Sequence, residues 1–142
     1  MAGIEEEFRM PIQYQDWITR SDLRKNKDKY YVFGDNCVRI GFKGQAKEMR
    51  GEPNAIGIRT KFFPSDKKRS YFTDENFGLC FGLITEDLLY VIEKLKENKI
   101  VVIPSKGIGS GLARLEDCAP KVNRALLKAL EYIKEKYGFI PV

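Results

Sequence analysis

The sequence contains no histidine among its 142 residues. That absence excludes Ser-His-Asp and Cys-His nucleophilic catalysis, histidine general bases and nearly all zinc enzyme sites. Carboxylates clustered at ligand spacing are missing as well, since Glu5–Glu7 is a charge run typical of a solvated terminus. We therefore expect no metal site and no cofactor. Any chemistry must use carboxylates, lysine, arginine, tyrosine, cysteine, backbone dipoles or bound water.

Cysteines and long apolar runs are also scarce. The three cysteines, Cys37, Cys80 and Cys118, are odd in number and widely spaced, which fits neither a disulfide framework nor a zinc knuckle. We expect free thiols in a reducing compartment. No apolar run approaches the ~20 residues of a membrane span, and Met1–Phe8 is acidic where a secretory signal is basic and then apolar. A cytoplasmic protein with no membrane partner is the expectation.

The composition fits one globular domain. Hydrophobic residues make up 43% and charged residues 32% of the chain, and the length is close to the commonest domain size. We predict a single domain over residues 1–142, with residues 1–20 as an extended lead-in anchored by Trp17 and Ile18. The net charge of +5 favours anionic partners. Basic and acidic residues are interspersed along the C-terminal part, so a nucleic-acid partner is not indicated. The oligomeric state is left open.

Two short apolar runs predict buried parallel strands, Tyr30–Phe33 and Ile100–Ile103. Helices are predicted from a Thr85 cap to about Asn98 and from an Asp117 cap to Tyr137. The order helix, buried strand, helix indicates a three-layer α/β/α domain with a mixed, mostly parallel sheet. Shorter elements are predicted at Asp22–Asn26 (a helix capped by Ser21), Gln45–Arg50 (a helix), Asn54–Ile58 (a strand) and Ser70–Thr73 (a strand), while Asn76–Leu83 is ambiguous between strand and helix.

A glycine-rich loop follows the second buried strand. It reads Gly107-Ile108-Gly109-Ser110-Gly111-Leu112-Ala113. Glycines at every other position let a ligand approach the backbone and let successive N–H groups point into one concavity that suits phosphate. No Gly-Lys-Ser or Gly-Lys-Thr follows, and the spacing differs from the dinucleotide fingerprint by one residue. A purely structural turn explains such a loop equally well.

A second loop with three glycines follows the first buried strand, at Gly34–Ala46. Asp35 and Asn36 suit the hydroxyls or the base of a nucleotide, and Arg39 and Arg50 suit phosphate. Gly44 is expected near a helix N-terminus, where free N–H groups attract anions. The alternative is that Gly-Asp-Asn forms an Asx turn and that Arg39 is solvated.

Because the carboxyl ends of parallel strands meet at one edge of a sheet, we expect both loops to form one site. Asn54, Thr60 and Lys61 flank a short apolar strand and are expected to face it, although surface solubility explains Lys61 equally well. Candidate catalytic groups are Asp35, Gln45 and Asn54, with no assignment among them. The predicted ligand-binding residues are Gly34, Asp35, Asn36, Arg39, Gly44, Gln45, Arg50, Asn54, Thr60, Lys61, Gly107, Ile108, Gly109, Ser110, Gly111 and Leu112.

Two resemblances follow from these motifs. Ile100–Leu115 resembles the phosphate-binding loop of macro domains, and Phe33–Ala46 is similar in outline to their other ligand loop. The stretch from Tyr30 to about Tyr132 also resembles a family of small uncharacterised proteins of bacteriophages and bacteria, through Phe33–Asn36, Pro53–Lys61 and Pro104–Leu115 among its motifs. That family implies a bacterial or phage-infected cell, but no function. The asparagine-rich motif of hydrolytic macro domains is not recognisable here.

The macro-domain resemblance implies an ADP-ribose ligand, and hydrolysis of ADP-ribose derivatives in some members. Asp35 would be the carboxylate on the adenine side, Gly107–Leu112 would hold the diphosphate, and Gly44, Gln45 and Asn54 would lie near the distal ribose. Three functions are left open. They are an ADP-ribose-type binder that hydrolyses its ligand, a non-catalytic binder of a nucleotide signal in phage–host conflict, and a nucleic-acid-binding accessory protein.

Overall fold

A computed structural model describes residues 8–138 and 140–141 of the chain. The strands are β1 (Phe8–Arg9), β2 (Ile12–Gln15), β3 (Lys29–Asn36), β4 (Ala55–Lys61), β5 (Ile100–Pro104) and β6 (Ile140–Pro141). The helices are α1 (Arg20–Lys25), α2 (Ala46–Met49), α3 (Phe77–Lys96), α4 (Leu115–Cys118) and α5 (Pro120–Tyr137), with 3₁₀ turns at Lys68–Ser70 and Asp74–Asn76. Among the described residues, no helix combines the length and apolarity that crossing a membrane requires.

Four strands form a sheet in the order β2-β5-β3-β4, and every pairing in it is parallel. The predicted α/β class is confirmed. Antiparallel pairing forms a separate two-stranded sheet of β1 and β6, and one isolated antiparallel bridge joins Lys61 to Tyr71. The expected mixed sheet is therefore a purely parallel sheet with a short antiparallel ribbon beside it.

Helices pack on both faces of the four-stranded sheet. On one face, Ile58 and Val101 join Ile84 of α3 and Leu126 of α5 in the larger core. On the other face, a smaller core joins strand residues to α1 and α2 and consists of Ile18, Leu23, Tyr31, Phe33, Ala46, Met49 and Val102. Alternate residues of β3 serve the two cores, which is the period-two pattern of a strand buried on both sides.

Both long helices begin at positions different from those predicted. α3 begins at Phe77, so Thr85 lies in its interior and the ambiguous stretch before it is mostly helical. α5 begins at Pro120, and Asp117 belongs to the short helix before it. The carboxylate of Asp74 instead accepts the amides of Lys121 and Val122 at 3.0–3.1 Å. A cap supplied from a distant part of the chain leaves no signature beside the helix.

The N-terminal part contains more structure than an extended lead-in. β2 is an edge strand of the main sheet, and α1 begins at Arg20 with Thr19, not Ser21, as its cap. Ile18 is fully buried as expected. Trp17 is 53% exposed, so it is not the second core anchor. Residues 1–7 of the predicted lead-in lie outside the described residues.

The strands next to the predicted loops are longer than expected. β3 runs to Asn36, so Gly34 and Asp35 belong to the strand and not to a turn after it. β4 extends to Lys61, three residues beyond the predicted strand. The predicted strand at Ser70–Thr73 is wrong, because that segment makes only an isolated bridge between Tyr71 and Lys61. The longer strands carry polar side chains to the carboxyl edge of the sheet.

A candidate anion-binding cleft

A cleft of about 290 Å³ lies at the carboxyl ends of β3, β4 and β5. Both glycine loops contribute to its wall, as their positions after neighbouring parallel strands predict. The predicted binding residues that line it are Gly34, Asp35, Asn36, Gly44, Gln45, Arg50, Thr60, Lys61, Gly107, Gly109, Ser110, Gly111 and Leu112. The remaining lining residues were not predicted from the sequence; they are Ile40, Gly41, Phe42, Lys43, Ala46, Pro64 and Ala113.

The backbone amides of the second loop are free over six consecutive residues. Within the described part of the chain, no amide from Ile108 to Ala113 donates a hydrogen bond to another protein group. The amides on either side are occupied, since Gly107 donates to the Pro104 carbonyl at 2.9 Å and Arg114 to that of Gly111 at 3.1 Å. Consecutive free N–H groups at a cleft are suited to an anion.

Glycine is needed where this loop packs against the sheet. Gly109 has φ +82°, and a β-carbon there would lie 3.1 Å from Leu115 Cδ2 and 3.3 Å from Thr60 Cγ2. A β-carbon at Gly34 would lie 3.4 Å from the nitrogen of Gly109. The loop backbone therefore packs directly on the ends of β3 and β4, and side chains at these positions would separate loop from sheet.

Lys61, the last residue of β4, is the most unusual side chain of the cleft. The residue is only 8% exposed, and within the described part of the chain its ammonium group makes no ion pair and no hydrogen bond. The ammonium keeps some contact with solvent, because no fully buried side-chain nitrogen among the described residues lacks a hydrogen-bond partner. Its Nζ lies 4.8 Å from the ring centroid of Tyr71. Burial lowers the pKa of this amine, Asp66 opposes the shift and the charge of Lys43 adds to it. A partly desolvated cation without a carboxylate in contact is costly, so this geometry favours an anionic ligand.

The carboxylate of Asp35 is already saturated by the protein. Its Oδ1 accepts the amide of Asn36 at 2.8 Å and Arg50 Nη2 at 2.6 Å. Its Oδ2 accepts Arg39 Nη1 at 3.1 Å and Arg50 Nη1 at 3.3 Å. A carboxylate has about four lone-pair positions, and four donors fill them. Asp35 lines the cleft, but its side chain is only 3% exposed and has no position left for a ligand.

The two arginines expected to bind phosphate have other partners. Arg50 also donates to the carbonyl of Gly41 at 2.7 Å and to that of Ile40 at 3.3 Å, which ties the first loop to the sheet. Arg39 lies outside the cleft lining and bonds to Asp87 at 2.8 Å and to the carbonyl of Gly57 at 2.7 Å. Both guanidinium groups therefore stabilise the scaffold around the cleft.

The structure gives the amide side chains structural roles too. Gln45 bonds through both ends of its amide to the backbone of Ile18, at 2.9 and 2.8 Å. Asn54 is not brought to the cleft, since it precedes β4 at the opposite end of the sheet. Its Nδ2 donates to the carbonyls of Leu23, Asn26 and Lys29. All three catalytic candidates, Asp35, Gln45 and Asn54, thus make internal hydrogen bonds.

Two further predicted residues differ from expectation. Asn36 accepts the amide of Val38 and donates to the carbonyl of Ile40, which is the Asx-type arrangement that the sequence left as an alternative. Ile108 is 5% exposed, and its side chain belongs to the core and not to the cleft wall.

The remaining chemistry of the cleft is cationic and backbone-based. Its lining contains no carboxylate other than Asp35, and the described residues hold no group of three or more carboxylates and cysteines close enough for a metal ion. Lys61, Lys43 and the free amides of the second loop are left to meet a ligand. Such a set is suited to an anion, whereas the lining offers no unpaired carboxylate that could act as a base on a water molecule.

Comparison with known proteins gives a family but no function. Residues 13–129 match the model of the Family of unknown function (DUF7831). No curated protein and no solved structure matches the chain. The match covers most of the sequence, including both glycine loops and Lys61, and the chain therefore belongs to the DUF7831 family.

Proposed function

We propose that this protein binds a phosphate-bearing nucleotide of the ADP-ribose class in the cleft between its two glycine loops. The observation that carries the proposal is Lys61, a largely buried residue whose ammonium has no ion pair among the described residues, in a cleft also lined by five residues with free backbone amides, Gly109–Ala113. A phosphate would supply the missing charge and accept from the amides together. Charge-assisted hydrogen bonds of this kind are about twice as strong as neutral ones.

A macro-domain-like arrangement is part of this proposal. Its support is the order of buried parallel strand, glycine loop and helix from Ile100 to Tyr137, together with a second ligand loop at the same sheet edge. The role that the resemblance gives to the Asp35 carboxylate is not retained, because that group already accepts four hydrogen bonds. Phosphate recognition then depends on Lys61 and the loop amides.

Gly111 allows a direct test of the anion site. A β-carbon there would meet nothing within 4 Å, so a side chain can be added without strain. Calorimetry with ADP-ribose should give stoichiometric binding to the wild type, unchanged to within about 3-fold by Gly111→Ala. Gly111→Glu places a negative charge at the amides and should weaken binding at least about 10-fold, because juxtaposed like charges cost several kcal/mol.

The proposal fails if the wild type binds neither ADP-ribose nor AMP, or if Gly111→Glu binds as well as Gly111→Ala. The nucleic-acid alternative is tested with a short oligonucleotide over a range of salt concentrations. Counterion release predicts a steep loss of oligonucleotide affinity with salt and no effect of Gly111→Glu. Intact ADP-ribose recovered after denaturation supports the non-catalytic binder.

Covalent chemistry at Lys61 is a second candidate function, favoured by the pKa of its amine. Because burial lowers that pKa, a larger share of the amine is neutral and nucleophilic than for an exposed lysine. The neutral amine would attack the anomeric carbon of the ribose. A C–N bond forms as the bond to a carboxylate or phosphate leaving group breaks with its electron pair, and the nitrogen releases a proton to solvent. Water then adds to the same carbon, which frees the ribose and regenerates the amine.

Borohydride trapping tests this second function. The open-chain aldehyde of ADP-ribose condenses with an amine with loss of water, and borohydride reduces the imine to a stable secondary amine. We expect one adduct, located at Lys61 by peptide mass spectrometry and lost in Lys61→Arg but not in Lys43→Arg. Adduct spread evenly over exposed lysines, or none at all, would contradict covalent chemistry while leaving the binding function standing.

A further inference from the structure

Large apolar side chains stand exposed at the mouth of the cleft. Phe42 is 63% exposed, Ile40 57% and Leu112 55%, and all three line the cleft with Lys61. Phe42 and Ile40 come from the first glycine loop and Leu112 from the second. Neither loop packs these side chains into the two cores. The rim therefore offers apolar surface beside a cationic floor.

The loop that carries Ile40 and Phe42 is held in place from both sides. Arg50 and Asn36 both donate to the carbonyl of Ile40, at 3.3 and 2.8 Å, and Arg50 also donates to that of Gly41. At its end, a β-carbon at Gly44 would lie 3.7 Å from Leu112 Cδ1, so the two loops approach each other there. An apolar rim held on a fixed loop gives a preformed contact surface, which lowers the entropy lost on binding.

No carboxylate is free to read the edge of a base at this rim. Asp35 is the only acidic residue among the cleft lining, and its oxygens accept from Arg39, Arg50 and the amide of Asn36. Contact with the face of a planar group remains open to Phe42. Stacking is tolerant of base identity, because every base has a π-face.

We propose that Phe42, with Ile40 and Leu112, forms a clamp that stacks on the nucleobase of the bound nucleotide and accepts different bases with similar affinity. This inference rests on the proposed function, since it takes the phosphate of the same ligand to be at Lys61 and the loop amides. It differs from that function in assigning base recognition to apolar contact and not to a carboxylate.

The experiment compares ribose 5-phosphate, AMP and GMP by calorimetry on the full chain. Base–aromatic stacking of 1–3 kcal/mol corresponds to binding of AMP about 5- to 150-fold tighter than ribose 5-phosphate. GMP should bind within about 3-fold of AMP, because stacking distinguishes bases weakly. Phe42→Ala should bring the ratio of AMP to ribose 5-phosphate close to one, and Phe42→Tyr should restore it.

Phe63→Ala is the matched control, since Phe63 is 43% exposed, lies against Arg69 and is absent from the cleft lining. It should leave every affinity unchanged. Three results would overturn the clamp and leave phosphate binding intact. The wild type could bind ribose 5-phosphate as tightly as AMP, Phe42→Ala could leave the ratio of the two affinities unchanged, or the wild type could strongly prefer AMP over GMP. No binding of any of the three compounds to wild type would overturn the clamp and the proposed function together.

Discussion

Replacement of Lys61 by methionine should make the protein more stable and less able to bind its ligand. The Lys61 residue is 8% exposed, and its ammonium has no ion pair among the described residues. Even partial removal of such a charge from water costs on the order of 1–3 kcal/mol. The ring of Tyr71, 4.8 Å from Nζ, returns about 0.5–2 kcal/mol through a cation–π contact. The balance is unfavourable to the folded state, and methionine keeps the apolar stem.

We expect Lys61→Met to raise the free energy of unfolding by about 1 kcal/mol, within the range of known stabilising substitutions. For a chain of this length that corresponds to a rise in Tm of roughly 3–5 °C. ADP-ribose affinity should fall about 10- to 150-fold, the equivalent of a charged hydrogen bond of 1.5–3 kcal/mol. Thermal unfolding without ligand and calorimetry with it provide the two measurements.

The pH dependence of unfolding gives an independent check that the charged form of Lys61 destabilises the folded state. Burial lowers the pKa of Lys61, so the folded state carries the penalty at pH values below that lowered pKa. The penalty disappears as the pH rises through the lowered pKa towards the ordinary value of 10.5, because a neutral amine is not penalised. The stability gap between Lys61→Met and wild type should therefore narrow at alkaline pH.

Lys43→Met is the control, because Lys43 lines the same cleft but is exposed. Its unfolding free energy should stay within about 0.5 kcal/mol of wild type. A fall in Tm for Lys61→Met would refute the reasoning that the cation is unsatisfied without ligand. Unchanged ADP-ribose affinity in that variant would refute its role in binding.

Two further substitutions test the scaffold around the cleft. Gly57→Ala should destabilise the protein by about 1–3 kcal/mol in urea unfolding, because the new β-carbon would lie 2.5 Å from Asp35 Oδ2. Gly82→Ala is the control and should not destabilise the protein, because Gly82 lies in a helix and a β-carbon there would meet open space. Asp74→Ala should cost about 1–2 kcal/mol and lower Tm through the loss of the α5 cap, while Asp117→Ala should change stability by less than about 0.5 kcal/mol. Equal effects of the two aspartates would contradict the cap assignment.

Local patterns account for what was predicted about the fold. Tyr30–Phe33 and Ile100–Ile103 are runs of β-forming apolar residues, and both form the interior strands of the sheet. The apolar period of α5 was visible along the sequence, because successive turns bury the same face. The first residue of α5 could not be predicted, because its cap, Asp74, comes from a segment far away in sequence.

The candidate site was likewise predictable in some features and not in others. Placement of both glycine loops at one sheet edge followed from two buried strands and the geometry of parallel sheets. Which polar side chains remain free did not follow. In the sequence, Asp35, Asn54 and Lys61 look equally suited to binding a ligand. In the structure, the Asp35 carboxylate and the Asn54 amide nitrogen already bind protein groups. Pairing across many residues depends on distances that only the folded chain sets.

The α/β class, the two interior strands and the glycine loops could be predicted from the sequence, because hydrophobic period and backbone freedom are properties of neighbouring residues. The folded chain brings Arg39 and Arg50 to Asp35 and leaves Lys61 without an ion pair among the described residues, and neither arrangement could be predicted from the sequence. The physical reason is that the cost of a charge depends on what surrounds it in space, and the groups around these charges come from separate strands and loops.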